Sequence, residues 1–236
     1  MNANSKSDII LTSLFIFIYL STIPAYGKEE KNTNITKERS NEVKMNEPSQ
    51  EKLINESLPS ANGNQSQDTV LLQTEKGPIK IKLYTKEAPV TTSNFKELAS
   101  KGFYNGTVFH RVVPNFVIQG GDPLGDGTGN YIDPESGKPR FIKLETNPSL
   151  KFDRPGRVGM ARTKDPNSAS CQFFITLKAL PSLDPGGVDP FGYSVFGQVT
   201  EDTFKTVLSI IKDSVPAFPT SERPANPVKI HSASLN

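Results

Sequence analysis

The chain has 236 residues, of which 35% are hydrophobic and 22% are charged, so it is long enough for one or two ordinary domains. Its 27 basic and 25 acidic residues give a formal net charge of only +2, and no basic stripe carries interleaved aromatic residues. We therefore expect no nucleic-acid partner. The single cysteine, Cys171, rules out an intramolecular disulfide, and with only two histidines the sequence predicts no metal site.

Residues 1–27 differ in character from the rest of the chain. A polar start containing Lys6 precedes an apolar run over residues 9–20, and the pattern Ala-Tyr-Gly follows at 25–27. This order is typical of a secretory signal cleaved after residue 27, which predicts an exported, extracytoplasmic protein. The alternative is an uncleaved signal-anchor that tethers the chain to a membrane, because Asp8 interrupts the charged start. The apolar run is shorter than the ~20 residues of a comfortable membrane span.

Residues 28–67 are polar and charged and contain no aromatic side chain. Such a stretch buries too little apolar surface to offset the entropy of ordering, so we expect a disordered tether. The composition changes at Asp68, and the remaining residues are enough for one core. The sequence thus predicts a signal over 1–27, a tether over 28–67 and a single domain over 68–236.

The first elements of this domain form a predicted hairpin. Residues 69–74 have the character of a strand, and residues 79–83 alternate isoleucine and leucine with lysine, which indicates a half-buried strand. The segment Glu-Lys-Gly-Pro at 75–78 is a predicted turn between them.

Two helices are predicted. The first covers 91–101, with the Thr-Thr-Ser at 91–93 as N-cap candidates and Gly102 as its stop signal. The second covers 200–214, because apolar residues recur there at helical spacing. Its predicted apolar stripe is Phe204, Val207, Leu208 and Ile211.

A last strand over 228–235 closes the chain, and short strands with Gly- and Pro-rich loops fill the remainder. Many short strands with two isolated helices favour an antiparallel barrel or sandwich with helices at its ends.

Three familiar motifs, for nucleophilic catalysis, phosphate binding and calcium binding, are missing from this sequence. Ser170 does not lie in the G-x-S-x-G turn of a hydrolase, which argues against nucleophilic catalysis. The Gly-rich loop at 125–130 lacks the ending of a phosphate-binding loop and the ligand pattern of a calcium loop. Its glycines are better explained by a tight connection that needs positive φ angles.

The segment FHRVVPNFVIQGGDP, residues 109–123, places polar side chains within an apolar, strand-like run. Arg111 and Gln119 have the same parity, so in a regular strand they share one face. A turn or bend at Pro-Asn, residues 114–115, would interrupt the strand and could change which face the later side chains occupy. If these side chains are buried they need partners, because an unpaired polar group in a core lowers stability.

This segment belongs to a set of motifs that resembles one family. The motif FHRxxxxFxxQGGD at 109–122 occurs together with NSASCQFFI at 167–175 and Val-Phe-Gly at 195–197. In this combination the chain resembles the cyclophilin-type peptidyl-prolyl cis-trans isomerases over roughly 69–236. The resemblance implies a mostly β fold, a closed eight-stranded antiparallel barrel capped by two α-helices.

The resemblance also implies a set of site residues in a shallow proline-binding groove. Arg111 would be the catalytic arginine, and Gln119 would orient it and contact the substrate backbone. Phe116, Val117 and Phe174 would form the apolar floor of the groove. The remaining groove residues would be Gly127, Ala161, Arg162, Gln172, Leu183 and Tyr193.

The chemistry of this reaction suits the residues that the sequence offers. Rotation about a peptide bond faces a barrier of ~18–20 kcal/mol because resonance makes the bond partly double. At the twisted transition state the proline nitrogen regains a lone pair, and a fixed guanidinium donor stabilises that state more than either ground state. Arginine is suited to this role because it is always charged and its fork is rigid. We expect no cofactor.

Several positions depart from the common family pattern. Ser182 stands where many members have tryptophan, Tyr193 where histidine is frequent, and Arg162 where asparagine is usual. The loop at 182–193 is also longer than the common form. These features resemble bacterial-type members and predict weak cyclosporin binding.

Two functional classes remain open at this stage. The first is an isomerase that assists the folding of exported, proline-containing polypeptide clients. The second is a module or chaperone that holds proline segments with little turnover. Retention of Arg111, Phe116 and Gln119 favours the enzyme, because a proline pocket alone needs only the apolar floor. In either case we expect a monomer that meets a membrane only through an uncleaved N-terminal segment.

Overall fold

The computed structural model describes residues 68–236, so the predicted signal over 1–27 and tether over 28–67 lie outside the described residues. The elements in chain order are β1 (Thr69–Thr74), β2 (Gly77–Leu83), α1 (Pro89–Ser100), β3 (Arg111–Val113), β4 (Val117–Gly120), β5 (Arg157–Met160), β6 (Phe173–Thr176), β7 (Val195–Val199), α2 (Glu201–Asp213) and β8 (Ile230–Leu235). Neither α-helix in this part of the chain is long and apolar enough to cross a membrane.

The eight strands of residues 68–236 belong to one curled antiparallel sheet with the order β3-β4-β6-β5-β7-β2-β1-β8. The segment before β3 spans the gap between the two edge strands. Val108 forms β-bridges with both Asp122 and Lys229, and the N–H of Phe109 donates to the carbonyl of Val228 at 2.9 Å. The predicted mostly β fold of eight antiparallel strands with two helices is confirmed. Its curl is completed by these bridges and not by a continuous pairing of β3 with β8.

The main core lies inside the curled sheet. Phe95 of α1 contacts Tyr104, Phe173 and Phe196, with ring centroids 5.1, 5.4 and 4.9 Å apart. Cys171 is fully buried in the same cluster, and burial raises the pKa of its thiol to about 12. The cysteine is therefore the small core residue that its apolar sequence context suggests.

Helix α1 begins two residues earlier than predicted. Pro89 lies in its first turn, where the fixed φ of proline suits a helix start. The residue before the helix is Ala88, so the expected N-cap role for the side chains at 91–93 was wrong. The carboxylate of Glu145 supplies the missing acceptor, because it receives the N–H of Val90 at 3.1 Å and the N–H of Thr91 at 2.9 Å.

Helix α2 matches its predicted position but is rotated relative to the predicted stripe. Leu208 is 50% exposed, and the buried face contains Val207 and Ile210 with two threonines. The reason is a polar contact with the sheet: the N–H of Lys80 donates to the hydroxyl of Thr203 at 3.0 Å. The final strand β8 begins at Ile230, two residues later than predicted.

Candidate active site

The hairpin of β3 and β4 presents its polar residues on the outer face of the sheet. Arg111 pairs directly with Gln119, and a three-residue turn with Asn115 at φ 60° joins the strands. Residues opposite each other in an antiparallel pair project to the same side. Val112 and Ile118, the pair next to them, are buried in the main core. Arg111 and Gln119 therefore both project away from that core.

Beside this pair lies a second apolar cluster, separate from the main core, which we call the groove cluster. Its buried members are Val117, Phe152, Phe174, Leu180, Leu183 and Val195, with Tyr84, Phe116, Leu150, Ala161 and Tyr193 packed against them. Six residues predicted to form the groove lie in this cluster, namely Phe116, Val117, Ala161, Phe174, Leu183 and Tyr193. The structure thus brings the expected apolar floor together on one face of the sheet.

Two buried members of the groove cluster were missed by sequence reasoning. The ring of Phe152 stacks on that of Phe174, with centroids 5.5 Å apart and an interplanar angle of 26°. Leu180 packs in the same layer and precedes the short 3₁₀ turn at Pro181–Leu183. Gly159 allows this close approach, because a Cβ there would lie 2.5 Å from the ring of Phe174 and 2.8 Å from that of Phe152.

Gln119 is held by a second glutamine. Its Nε2 donates to Oε1 of Gln172 at 3.0 Å, and Nε2 of Gln172 donates to the carbonyls of Gly127 at 3.1 Å and Gly129 at 2.9 Å. Gln172 therefore ties the sheet to the loop that carries Gly127. Within residues 68–236 no hydrogen bond joins Gln119 to Arg111, which differs from the orienting role predicted for Gln119. The amide of Gln119 is instead engaged by Gln172.

The loop at the edge of this site is organised by Asp122, whose side chain is buried. Its carboxylate accepts the N–H groups of Leu124 at 2.9 Å, Asp126 at 3.1 Å and Gly127 at 2.5 Å. Gly127 has a φ of 94°, a conformation that favours glycine. Together these contacts fix the position of Gly127, one of the groove residues that the resemblance implies.

Arg111 has an acidic partner that the sequence did not reveal. Its Nε donates to Oε2 of Glu222 at 2.6 Å, and its guanidinium carbon lies 5.7 Å from the ring centroid of Phe116. The side chain of Arg111 is only 13% exposed. The guanidinium is therefore held beside the groove cluster by a charge-assisted hydrogen bond and an aromatic ring.

Arg162 is turned into the loop at 182–193 rather than toward the solvent. Its side chain is 1% exposed and donates to Oδ1 of Asp189 at 2.6 Å and to the carbonyl of Gly192. Its guanidinium carbon lies 4.5 Å from the ring centroid of Tyr193. The ring of Tyr193 in turn meets Phe174 edge-on at 5.8 Å. Arg162 therefore reaches the groove cluster through its contact with Tyr193, and its predicted role as a groove residue stays a prediction.

Two pKa values reflect this buried arrangement. Burial raises the pKa of Tyr193, although Arg162 opposes the shift. Burial alone would raise the pKa of Asp189 as well, but the hydrogen bond from Arg162 and the N–H groups of Phe191 and Gly192 outweigh it, so that this pKa is lowered. Asp189 stays ionised, and its bond to Arg162 persists at neutral pH.

His110 is buried and directly precedes Arg111 in the chain. Neither ring nitrogen has a hydrogen-bond partner among residues 68–236, and burial lowers the pKa of the ring while Asp122 opposes the shift. No three His, Cys, Asp or Glu side chains converge as a metal site would need within the described part of the chain. His110 is thus a neutral imidazole behind the groove edge.

The domain is thus a mostly β, eight-stranded antiparallel curled sheet with two helices, and it carries an arginine beside an apolar groove cluster on its outer face. The model of one family, "Cyclophilin type peptidyl-prolyl cis-trans isomerase/CLD", matches residues 69–235. The chain belongs to the cyclophilin-type peptidyl-prolyl cis-trans isomerases.

The curated proteins that are similar to this chain are longer than the region that matches it. The "Spliceosome-associated protein CWC27 homolog" of Danio rerio is 41% identical over 166 residues, which are 70% of this chain and 32% of that protein. "Peptidylprolyl isomerase cyp7" of Schizosaccharomyces pombe is 41% identical over 167 residues, which are 71% of this chain and 33% of that protein. The chain thus spans about a third of these relatives. Both are eukaryotic, so they do not support the bacterial-type character suggested by the departures at 162, 182 and 193.

Solved structures agree with this assignment. A Cryptosporidium parvum cyclophilin type peptidyl-prolyl cis-trans isomerase, crystallised in the presence of the dipeptide Ala-Pro, is 31% identical with a TM-score of 0.62. The similarity covers 71% of this chain and 98% of that one. A second structure of the same protein gives a TM-score of 0.63.

Proposed function

We propose that this chain catalyses the cis-trans isomerisation of X-Pro bonds in polypeptides. The observation that carries the proposal is the position of Arg111, held at 5.7 Å from Phe116 at the margin of the apolar groove cluster. Such a groove can hold a proline ring, and the guanidinium beside it can reach the peptide bond that rotates. Uncatalysed X-Pro isomerisation takes tens to hundreds of seconds, so a catalyst has a clear task.

The reaction in this groove proceeds without covalent chemistry. The proline ring packs on Val117 and Phe174 while the residue before proline rotates about the amide. As the bond twists, resonance is lost and the proline nitrogen gains a lone pair. Arg111 uses its Nε–H for Glu222, which leaves its Nη hydrogens to donate toward that nitrogen. This donor acts on charge that develops only in the transition state, so it lowers the barrier.

The assay for this proposal uses the full chain and a short peptide with a single X-Pro bond. Catalytic amounts of the protein should accelerate approach to the cis-trans equilibrium in proportion to protein concentration. Binding of the peptide without any acceleration would favour the alternative, a proline-segment binding module or chaperone with little turnover.

For localisation we propose export, with cleavage after residue 27 and proline-containing clients in an extracytoplasmic space. The support is the apolar run followed by Ala-Tyr-Gly at 25–27. N-terminal sequencing of the protein from its native host tests this, since a start at residue 28 supports export. A start at Met1 in a membrane fraction would support the signal-anchor instead.

A second candidate setting is association with the spliceosome. It is favoured by the names of the CWC27 relatives, which are 41% identical to this chain over the matched residues. Recovery of the native protein with nuclear ribonucleoprotein particles would support this setting and contradict export. In both settings we propose that the chain acts as a monomer, which light scattering of the purified protein would test.

A further inference from the structure

The segment at 214–227, between α2 and β8, reaches the active-site hairpin. The N–H of Val112 in β3 donates to the carbonyl of Glu222 at 2.8 Å, so the backbone of Glu222 lies along the edge of the sheet. The segment also folds on itself, because the N–H of Ala217 donates to the carbonyl of Arg223 at 2.8 Å and Pro216 forms a β-bridge with Pro224. These contacts fix the backbone from which the Glu222 side chain projects.

The Glu222 carboxylate meets the guanidinium at Nε alone. The distance between Nε of Arg111 and Oε2 of Glu222 is 2.6 Å, and no other side-chain oxygen in residues 68–236 accepts a hydrogen bond from Arg111. A bond to Nε fixes the rotation of the planar fork about its stem. It also leaves both Nη groups without a side-chain hydrogen-bond partner within residues 68–236, and the Phe116 ring centroid lies 5.7 Å from the guanidinium carbon.

We propose that Glu222 is a positioning residue that orients Arg111 for X-Pro isomerisation. The inference rests on the proposed function, because it assigns Glu222 a role in that reaction. Arginine has many rotamers, and each one that points elsewhere is unproductive. A charge-assisted bond to a carboxylate on a fixed backbone removes most of this freedom before the substrate arrives.

The carboxylate has an opposing effect, because its negative charge weakens the guanidinium as a donor. The exposure of the two side chains decides which effect is larger. Glu222 is 46% exposed, so water screens its charge, whereas Arg111 is 13% exposed and is confined by its contacts. Orientation therefore outweighs the loss of donor strength, and removing Glu222 slows the reaction.

The test compares Glu222→Ala with Glu222→Gln in the full chain. Alanine removes the acceptor, whereas glutamine keeps a side-chain oxygen for Nε–H and removes only the charge. We expect Glu222→Ala to lower kcat by about tenfold, a modest loss of orientation, while peptide binding stays within twofold of wild type. Glu222→Gln should recover most of the rate. Asp213→Ala is the matched control, since it removes an exposed carboxylate that pairs with Lys76 at 2.7 Å outside the groove.

Three outcomes would overturn the proposal. An unchanged kcat in Glu222→Ala would show that Glu222 has no role in the reaction. A raised kcat would show that its negative charge weakens Arg111 as a donor more than its contact orients it. A glutamine variant as slow as alanine would show that charge matters and orientation does not. Circular dichroism and thermal melting of each variant separate these results from misfolding.

Failure of the proposed function gives a different pattern. A wild-type chain that binds the peptide without accelerating its isomerisation would refute that function. The positioning contact is then judged by nuclear magnetic resonance of the Arg111 Nε–H. A slowly exchanging signal in wild type that is lost in Glu222→Ala supports the contact, and equal exchange in both contradicts it.

Discussion

Replacing Arg111 by alanine should reduce turnover strongly and leave the fold intact. Loss of one donor that acts only on transition-state charge typically costs about 10²–10³ in rate, or ~2.7–4 kcal/mol. The fold should survive because Arg111 is not part of the main core cluster. Its removal leaves the carboxylate of Glu222, which is 46% exposed and can be hydrated, so no buried charge loses its partner.

Replacing Arg111 by lysine separates charge from shape. Lysine keeps the positive charge but has no planar fork. A single ammonium group cannot replace both the Nε bond to Glu222 and the Nη groups that would donate to the substrate. We expect only a small recovery of kcat/KM relative to alanine.

The assay for both variants is peptide isomerisation with the concentration of folded protein fixed by circular dichroism. Binding of the proline peptide should stay within a fewfold of wild type, since the groove cluster remains. Near-normal turnover in the folded Arg111→Ala variant would refute this reasoning and move the protein toward the binding-module alternative.

Further predictions concern the loop, the buried imidazole and drug binding. Arg162→Asn should free the loop at 182–193 and loosen Tyr193, which raises KM by severalfold with little change in kcat; an unchanged KM would contradict the link. Burial lowers the pKa of His110 in the folded chain from its ordinary value of 6.5. As the pH decreases through 6.5, the imidazole therefore takes up a proton in the unfolded chain before it does so in the folded chain. The free energy of unfolding falls as a result. Urea unfolding at pH 7.5 and 5.5 should show a lower free energy of unfolding at the lower pH, and the decrease should be smaller in a His110→Gln variant. An equal decrease in wild type and variant would refute this prediction. Cyclosporin should bind weakly and improve in Ser182→Trp by roughly thirtyfold, as isothermal titration would measure; tight binding by the unmodified chain would reject this.

The local features of the site followed from the sequence. In the β3–β4 hairpin the parity of Arg111 and Gln119 places them on one face, and the turn after β3 preserves that parity because it contains three residues. The apolar floor at 116–117 and 174 followed from the motif resemblance. The hairpin parity depends on near neighbours in the chain and is determined by short-range periodicity, whereas the floor joins two separate strands and came from the resemblance alone.

The contacts between distant segments could not be read from the sequence. Glu222 lies 111 residues from Arg111, in a Pro-rich segment without periodicity, and nothing in its pattern indicates a partner. Arg162 stood in a motif position that implies a groove contact, but its long side chain finds acceptors in the loop at 182–193. Leu208 fits a helical stripe, yet the threonine contacts of α2 with the sheet rotate it to the surface. In each case tertiary contacts overrule a local pattern.

The central claim is that Arg111, held beside the apolar groove, accelerates rotation of an X-Pro bond without covalent chemistry. Exchange nuclear magnetic resonance on one proline peptide at equilibrium tests it most directly, because a single experiment reports both binding and the cis-trans exchange rate. Wild-type chain should raise the exchange rate far above that of the free peptide, and Arg111→Ala should bind the peptide while losing about 10²–10³ of the acceleration. Equal exchange rates in wild type and Arg111→Ala at equal occupancy would contradict the account.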